Sequence, residues 1–592
     1  MKLKDVISPF YVWQRAFEKP YTNTKPIDTR PGADAYRGFH VNDIDKCVGC
    51  SSCQTICQNH AIDMVTTDKN SMPGDSGLRP RFDYGRCCWC ALCVDICPSG
   101  SLHMSNEYAW VSDDPDSFRF TPGVDEKPWY QHEQGYHRDP NYNLLKLERA
   151  EMDMLSTEEG LKSFDEVVSG YNHEQAIAEA DRCIECNICI ATCPAHMDIP
   201  DYIKAIREQD LEEGLRILYK TNPFSATCGR ICTHRCEDDC TISHLGKPLA
   251  IRWLKRYIID QIPAENFARI LQDSCEENGK KVAIVGAGPG GMSAAYYLRK
   301  QGYRVSVYEA NKRAGGMLRY GVPTYRLPDD QLDKDIDYII SLGVTMHYET
   351  KVGIDIEFNT ILDNNDAVFL STGLNVPSNL RITGEEHPRV VSGLQVLFDT
   401  ASGNNPNVGQ KVAVIGGGNV AMDAARVSRR FGADVTVLYR RRLEDMPADP
   451  EEIKEATEEH CHFVTQAIPV KIVPADNPNQ AIIHWGEAEM VDDGKGGRPR
   501  PILQDDKMHT ETYDTIISAI GQSGDYSFLS ESIRNDLSLK WHKFEVDDRQ
   551  RTRIGNIFIG GDVANEVADA VSAIADGHNA AIGIHQYISE KV

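Results

Sequence analysis

The sequence predicts an α/β and α+β multidomain chain. Three observations carry that expectation: four runs of four cysteines before residue 241, two apolar strands further on that each run into a glycine-rich turn, and a stretch of helical periodicity between them. A length of 592 residues leaves room for about four domains. Acidic residues outnumber Lys and Arg by 88 to 63, a net charge of −25. Nucleic acids and anionic membrane surfaces select basic patches, so neither is expected as a partner. No apolar stretch approaches the ~18 residues that span a bilayer. The start, Met1 to Pro9, lacks the apolar core of an export signal. Cysteines grouped in runs rather than scattered point to a reducing compartment, so a cytoplasmic location is expected.

Cys47, Cys50, Cys53 and Cys57, then Cys87, Cys90, Cys93 and Cys97, both follow Cys-x2-Cys-x2-Cys-x3-Cys spacing. Short loops let three thiolates cap three corners of a 4Fe-4S cube, while the fourth cysteine reaches the neighbouring cube. One cluster is therefore expected on Cys47, Cys50, Cys53 and Cys97, the other on Cys87, Cys90, Cys93 and Cys57. Structural zinc fits worse, because zinc sites usually pair two cysteines with two distant ligands. Cys57 is followed by Gln58, where the ferredoxin pattern has proline. Cys88 reads as a small buried filler, and Trp89 as a shield over a cluster. Phe82-Asp83-Tyr84-Gly85-Arg86 and Leu102-His103-Met104 flank the second run. With them, residues 38–108 resemble the two-cluster ferredoxin subunit of respiratory complex I. Residues 1–37 read as an N-terminal extension, and residues 109–165, aromatic and acidic, as a linker, an ordered wrap or connector to which no function is assigned.

From Glu174 the spacing turns helical and leads into Cys183, Cys186, Cys189, Cys193 and Pro194; Asn222-Pro223-Phe224 then precedes Cys228, Cys232, Cys236 and Cys240. Here the chain resembles the glutamate synthase small-subunit family and the matching amino-terminal half of dihydropyrimidine dehydrogenase. The resemblance implies a helical iron-sulfur domain over residues 166–270 with two 4Fe-4S clusters, one on Cys183, Cys186, Cys189 and Cys240, the other using Cys193, Cys232 and Cys236. The remaining ligand, Gln or Glu in the family, aligns near Lys255, and a protonated amine has no lone pair to give. Cys228 could substitute, or the alignment could be displaced by one turn.

Lys281 to Val285 is an apolar strand that runs into Gly286, Gly288 and Gly291 and then a helix. Such a turn brings backbone close to a pyrophosphate at a helix N-terminus, where unpaired amides meet the negative charge. A second strand ends at Glu309, placed to accept hydrogen bonds from ribose hydroxyls. The family resemblance continues through Gly315-Gly316-Met317-Leu318, Arg326, Ser371-Thr372-Gly373 and Gly560-Gly561-Asp562. It implies an FAD-binding domain in two parts, 278–400 and 521–592. Gly316, Leu318, Arg326, Thr372, Gly373, Gly561 and Asp562 would lie at the flavin, with Asp562 on its ribityl or phosphate region.

Residues 408–520 read as a second nucleotide domain, with Gly416, Gly418, Asn419 and Val420 after the strand Lys411 to Ile415. Twenty-three residues beyond the first glycine stands Glu309 in the first module, but Tyr439, followed by Arg440, Arg441 and Arg442, in the second. A carboxylate would repel a 2′-phosphate, whereas guanidinium groups hold one with charge-assisted hydrogen bonds. NADP(H) is thus expected over NAD(H), with Arg440 and Arg441 as its readers; the alternative is that these arginines pair with Glu444 and Asp445.

The resemblance implies an NAD(P)H:acceptor oxidoreductase that exchanges hydride between NADP(H) and FAD and passes single electrons through four 4Fe-4S clusters to ferredoxin or a partner enzyme. A hetero-oligomeric complex is the expected setting. Lys2 stands where a glutaminase would need a cysteine, so the chain alone is not expected to make glutamate. Two other readings stay open. One is an electron-bifurcating subunit, since the large subunit of NADH-dependent ferredoxin:NADP oxidoreductase shares this layout. The other is an electron-wiring subunit of a larger complex. His60, His103, His196, His578, Cys275 and Cys461 are expected to pack or face solvent rather than ligate.

Overall fold

The computed structural model describes residues 13, 15–19, 32–130, 134–492, 497–540 and 543–590. Most of the N-terminal extension, Lys2 included, lies outside them. The chain forms two compact units. The first comprises Met1–Glu148 with Ile184–Ile188 and Asp239–Pro248; the second comprises Arg149–Cys183, Cys189–Asp238 and Leu249–Val592.

In the first unit, β1 (His40–Asn42) pairs antiparallel with β4 (Leu102–Met104), while β2 (Ile62–Thr66), β3 (Leu78–Asp83) and β5 (Arg119–Phe120) form a sheet in the order β2-β3-β5. Two short helices, α1 (Ser52–Ile56) and α2 (Leu92–Asp95), carry Cys53 and Cys93. Their N-caps, Ser51 and Ala91, share a left-handed conformation with φ of 62° and 70°, so the two cysteine runs repeat one local geometry. Residues 109–130 wrap back onto the ferredoxin core. β5 sets Phe120 opposite Phe82, and Trp110, Phe118 and Trp129 pack on Phe39 and Tyr84. Apolar rings left in water would cost burial energy, and the ferredoxin core supplies the surface that removes them from it.

The second unit opens on helices. α3 (His173–Ala180) starts with a capping box between Asn172 and Gln175. α4 (Ile199–Arg207), α5 (Leu211–Thr221), α6 (Ser225–Ile231) and α7 (Ile251–Gln261) follow. Ile203 and Ile206, Leu215 and Leu218, and Leu254 and Ile258 recur at helical spacing and are all fully buried. Two parallel sheets follow. The first contains β6 (Lys281–Val285), β7 (Arg304–Tyr308), β8 (Thr345–His347) and β9 (Ala367–Leu370), with α8 (Pro289–Lys300) packed on β6 and β7 and α9 (Asp329–Ser341) against α8. The second contains β10 (Val390–Ser392), β11 (Lys411–Ile415), β12 (Asp434–Tyr439) and β13 (His462–Thr465), with α10 (Asn419–Arg430) and α11 (Pro450–Glu458). An antiparallel excursion of β14 (Ala467–Pro474), β15 (Ala481–Val491) and β16 (Arg500–Tyr513) leads to β17 (Thr515–Ser518), which re-enters the second sheet in the order β10-β17-β11-β12-β13. β18 (Ile557–Ile559) then completes the first sheet, β18-β9-β6-β7-β8, before the final helix α12 (Ala570–Ser589). The first sheet is therefore assembled from both sides of the second. Its central strand buries Val282, Ala283 and Ile284 completely, as a parallel sheet covered on both faces requires. Among the described residues no helix is long and apolar enough to cross a membrane.

Candidate functional site

Cys47, Cys50, Cys53 and Cys97 line one cavity of the first unit, together with Ser99 and Ser101. Burial pushes the Cys53 thiol well above its ordinary range, and the neighbouring charges of Cys50, Cys93, Cys97 and Cys47 add to that. Cys93 is raised in the same way by burial and then by Cys87, Cys90 and Cys57. Cys57 thus turns toward the second run, and Cys97 toward the first. Hydrogen-bonding groups surround the sulfurs: Ser52 Oγ lies 3.3 Å from Cys50 Sγ and Ser101 Oγ 3.4 Å from Cys97 Sγ, while the amides of Ala61 and Trp89 donate to Cys57 and Cys87 at 3.3 and 3.4 Å. A buried pair, Asp75 and Arg79, holds the loop over the first run, where Ser71 Oγ donates to the Cys47 carbonyl and Ser76 Oγ to that of Gly49. Among the described residues no cysteine has a disulfide partner. A sulfur-lined cavity ringed by donors fits a 4Fe-4S cube, whose thiolates are stabilised by such bonds. Cys88 departs from expectation: it is exposed, because the turn directs Cys87 inward and leaves its neighbour outside. Trp89, half-buried with φ of 52°, stacks on Tyr84 at 5.8 Å.

A residue that the spacing did not single out also reaches a sulfur. His40 Nε2 lies 3.4 Å from Cys93 Sγ. Burial pushes this imidazole down to about 3. His40 stands 53 positions from Cys93 in the chain, and no local pattern could have linked them.

In the second unit Cys193, Cys228, Cys232 and Cys236 gather around Lys255. Burial disfavours the charge on Lys255, but Cys232, Cys228, Cys193 and Cys236 outweigh it and raise the ammonium above its ordinary value. Cys228, on α6, is fully buried, and burial pushes its thiol up to about 12. Asp335 of α9 accepts hydrogen bonds from the Ala226 and Thr227 amides, the Thr227 hydroxyl and the Tyr219 hydroxyl. This buried carboxylate meets the amides that α6 leaves unpaired at its start and ties the helix of Cys228 to the first nucleotide module. Of the remaining cysteines, Cys186 and Cys240 belong to the first unit, and Cys183 and Cys189 to the second.

The two nucleotide modules repeat one turn. Gly286 follows β6 with φ of +101°, and a Cβ there would meet the Ser371 carbonyl oxygen at 2.4 Å; Gly416 follows β11 with φ of +148°, and its Cβ would meet that of Ala519 at 2.2 Å. Gly288 and Gly418 cap α8 and α10, with Gly291, Asn419 and Val420 in the first turns. Asn419 Oδ1 accepts from the Asp449 amide at 2.8 Å. Glu309 is buried at the end of β7 and accepts from the amides of Ala287 and Asn311 at 2.9 and 2.8 Å. Tyr439 instead lays its ring against Gly417 and donates its hydroxyl to the Asp445 carbonyl at 2.9 Å. Arg442 pairs with Asp445 and Glu444. Arg440 is exposed and Arg441 donates Nε to the Pro499 carbonyl; among the described residues neither makes an ion pair.

Thr372 and Gly373 follow β9, and Gly561 and Asp562 follow β18, so both pairs share the carboxyl edge with Gly286. Crevices outside that edge are where open parallel sheets bind ligands. Gly316 caps the short helix that carries Leu318, and its Cβ would stand 2.9 Å from the Gly288 Cα. Burial pushes the Asp562 carboxyl up to about 6. The glycine faces and open helix N-termini fit a dinucleotide. Arg326 does not follow the flavin expectation. Its Nη1 donates to both Asp423 oxygens at 2.8 and 2.9 Å, and Nη2 pairs with Glu452. Two carboxylates of the second module, on α10 and α11, therefore hold its guanidinium, and Asp423 and Glu452 are residues that sequence reasoning did not single out.

The family model described as pyridine nucleotide-disulphide oxidoreductase matches residues 280–577, both sheets included. The chain belongs to that family. Within this oxidoreductase the model of dihydropyrimidine dehydrogenase domain II, 4Fe-4S cluster, matches residues 160–267, and that of a 4Fe-4S dicluster domain residues 46–101. The cofactor classes of the oxidoreductase are thus 4Fe-4S clusters, FAD and a pyridine nucleotide. The small chain of the NADPH glutamate synthase of Azospirillum brasilense is 31% identical over 74% of this chain and 94% of its own length. AegA of Escherichia coli is 28% identical over 93% of this chain and 88% of its own length. The beta subunit of the NADP(+)-dependent formate dehydrogenase of Moorella thermoacetica is 36% identical over 68% of this chain, and the match spans 60% of that subunit's length.

Proposed function

We propose that the chain is an NAD(P)H:acceptor oxidoreductase that connects NADP(H) to ferredoxin or to a partner enzyme through FAD and four 4Fe-4S clusters. When bound, the nicotinamide and flavin carry hydride transfer, and the clusters carry single electrons. One observation supports this most: a single compact unit holds two glycine turns at helix N-termini together with a buried group of four cysteines. Gly286, Gly288 and Gly291 hold the FAD pyrophosphate, Glu309 its ribose, and Gly316, Leu318, Thr372, Gly373, Gly561 and Asp562 the remainder. Gly416, Gly418, Asn419 and Val420 hold the second nucleotide, and Arg440 and Arg441 its 2′-phosphate. Cys47, Cys50, Cys53 and Cys97 ligate one cluster, and Cys57, Cys87, Cys90 and Cys93 another. Cys183, Cys186, Cys189 and Cys240 ligate the third. The fourth takes Cys193, Cys228, Cys232 and Cys236, with Lys255 as a neighbouring cation rather than a ligand.

Because the Moorella relative is named as a subunit, operation inside a larger complex is the setting that suits this chain. The test is anaerobic mixing of the full-length chain with NADPH or NADH. Flavin absorbance and cluster EPR should both respond, faster with NADPH, and added ferredoxin should then be reduced. A flavin that bleaches while every cluster stays oxidised would overturn the relay.

A further inference from the structure

We propose that His40 is a positioning residue for the cluster held by Cys57, Cys87, Cys90 and Cys93: its Nε2–H donates to the Cys93 sulfur and raises that cluster's reduction potential. The proposal rests on the ligand assignment above. His40 is 1% exposed, and its ring lies parallel to Phe82 at 3.8 Å, the planes 16° apart. Its backbone amide donates to the Tyr84 hydroxyl at 3.0 Å. Stacked on one side and anchored at the backbone, the ring points Nε2 at Cys93 Sγ, 3.4 Å away, while Nδ1 has no partner among the described residues.

The chemistry of the pair selects the tautomer. A cysteine bound to iron is a thiolate, which accepts and cannot donate, so the nitrogen facing it carries the hydrogen. The other tautomer would set a nitrogen lone pair against the sulfur and bury an N–H at Nδ1 without an acceptor, which costs more than burying an unused lone pair. An N–H aimed at a ligand sulfur stabilises the cluster more after it has gained an electron than before, and so shifts its potential upward. One electron enters and leaves; no bond breaks and no proton moves. At the first cluster the hydroxyl oxygens of Ser52 and Ser101 stand 3.3 and 3.4 Å from the Cys50 and Cys97 sulfurs in place of this contact.

The experiment is an EPR-monitored potentiometric titration of the full-length chain, unaltered and as His40→Leu and His40→Gln, with iron and sulfide assayed in each. His40→Leu should lower the midpoint of this cluster by about 59 mV, a tenfold change for one electron, and leave the Cys47 cluster where it was. His40→Gln, whose amide N–H falls near the Nε2 position, should recover most of the shift. An unchanged midpoint at full iron content, or an equal shift of both clusters, overturns the proposal. Should His40→Leu lose its iron, His40→Asn replaces it, since its shorter amide falls short of the sulfur: Asn low and Gln near the unaltered chain supports the proposal, and equal midpoints overturn it. Cys93→Ser separates the two layers of the argument. If it leaves this cluster's signal intact, the ligand assignment falls, and this proposal with it.

Discussion

The two nucleotide modules share a strand, a glycine turn and a helix, yet they present opposite charge where the next strand ends. In the first, Glu309 is buried and bonded to the amides of Ala287 and Asn311. In the second, Tyr439 fills that place and two arginines beyond it make no ion pair among the described residues. Turns of this kind serve dinucleotide folds as pyrophosphate sites, and under the proposed assignment the residue at the end of the second strand would decide which ribose each one tolerates.

Substituting the turn glycines would break the comparison most severely. Gly286→Val places a side chain against the Ser371 carbonyl and Gly416→Val against that of Ala519. The first should abolish flavin retention. The second should keep the flavin but abolish its bleaching by NADPH, as absorbance would record. If Gly416→Val loses flavin as well, the two sites are not separable.

The modules also grip each other. Asp423→Ala leaves the half-buried Arg326 with Glu452 alone, and breaking a buried pair in this way should cost about 3 kcal/mol, seen as a lower unfolding midpoint in calorimetry. A third test concerns Asp562, whose carboxyl rises from the ordinary 3.8 to about 6 through burial. A raised folded-state value means that stability is full below 3.8 and lost as pH rises through about 6. The flavin-free chain should lose about 2 kcal/mol across that window after allowance for solvent access, and Asp562→Asn should flatten the slope of unfolding midpoint against pH. Smallest is the double change Arg440→Ala with Arg441→Ala. It should raise KM for NADPH roughly tenfold, ~1.4 kcal/mol, and leave KM for NADH unchanged; equal losses with both would remove the 2′-phosphate reading.

Much of this arrangement is legible in the sequence because it is local. The contrast of Glu309 with Tyr439 follows from counting along a βαβ unit whose length its geometry constrains. The pairing of Cys57 with the second run and Cys97 with the first is likewise implied by spacing. What stays hidden depends on contacts between distant segments. His40 meets Cys93 only once β1 has paired with β4. Arg326 sits in a motif shared with flavin domains, but its partners lie on α10 and α11, 97 positions or more away. Lys255 reads as a misfit at a ligand position until four thiols are seen around it.

The return of residues 109–130 to the ferredoxin sheet has a practical meaning for anyone who wishes to transplant this module. A graft that ended at residue 108 would leave behind the strand that edges β3 and the rings of Trp110, Phe118, Phe120 and Trp129. The host would receive the four-cysteine repeat with part of its apolar core exposed to water. The compact unit itself runs on to Glu148 and takes in Ile184–Ile188 and Asp239–Pro248 as well, so borrowing such an electron carrier has to reckon with a boundary well past the four-cysteine repeat.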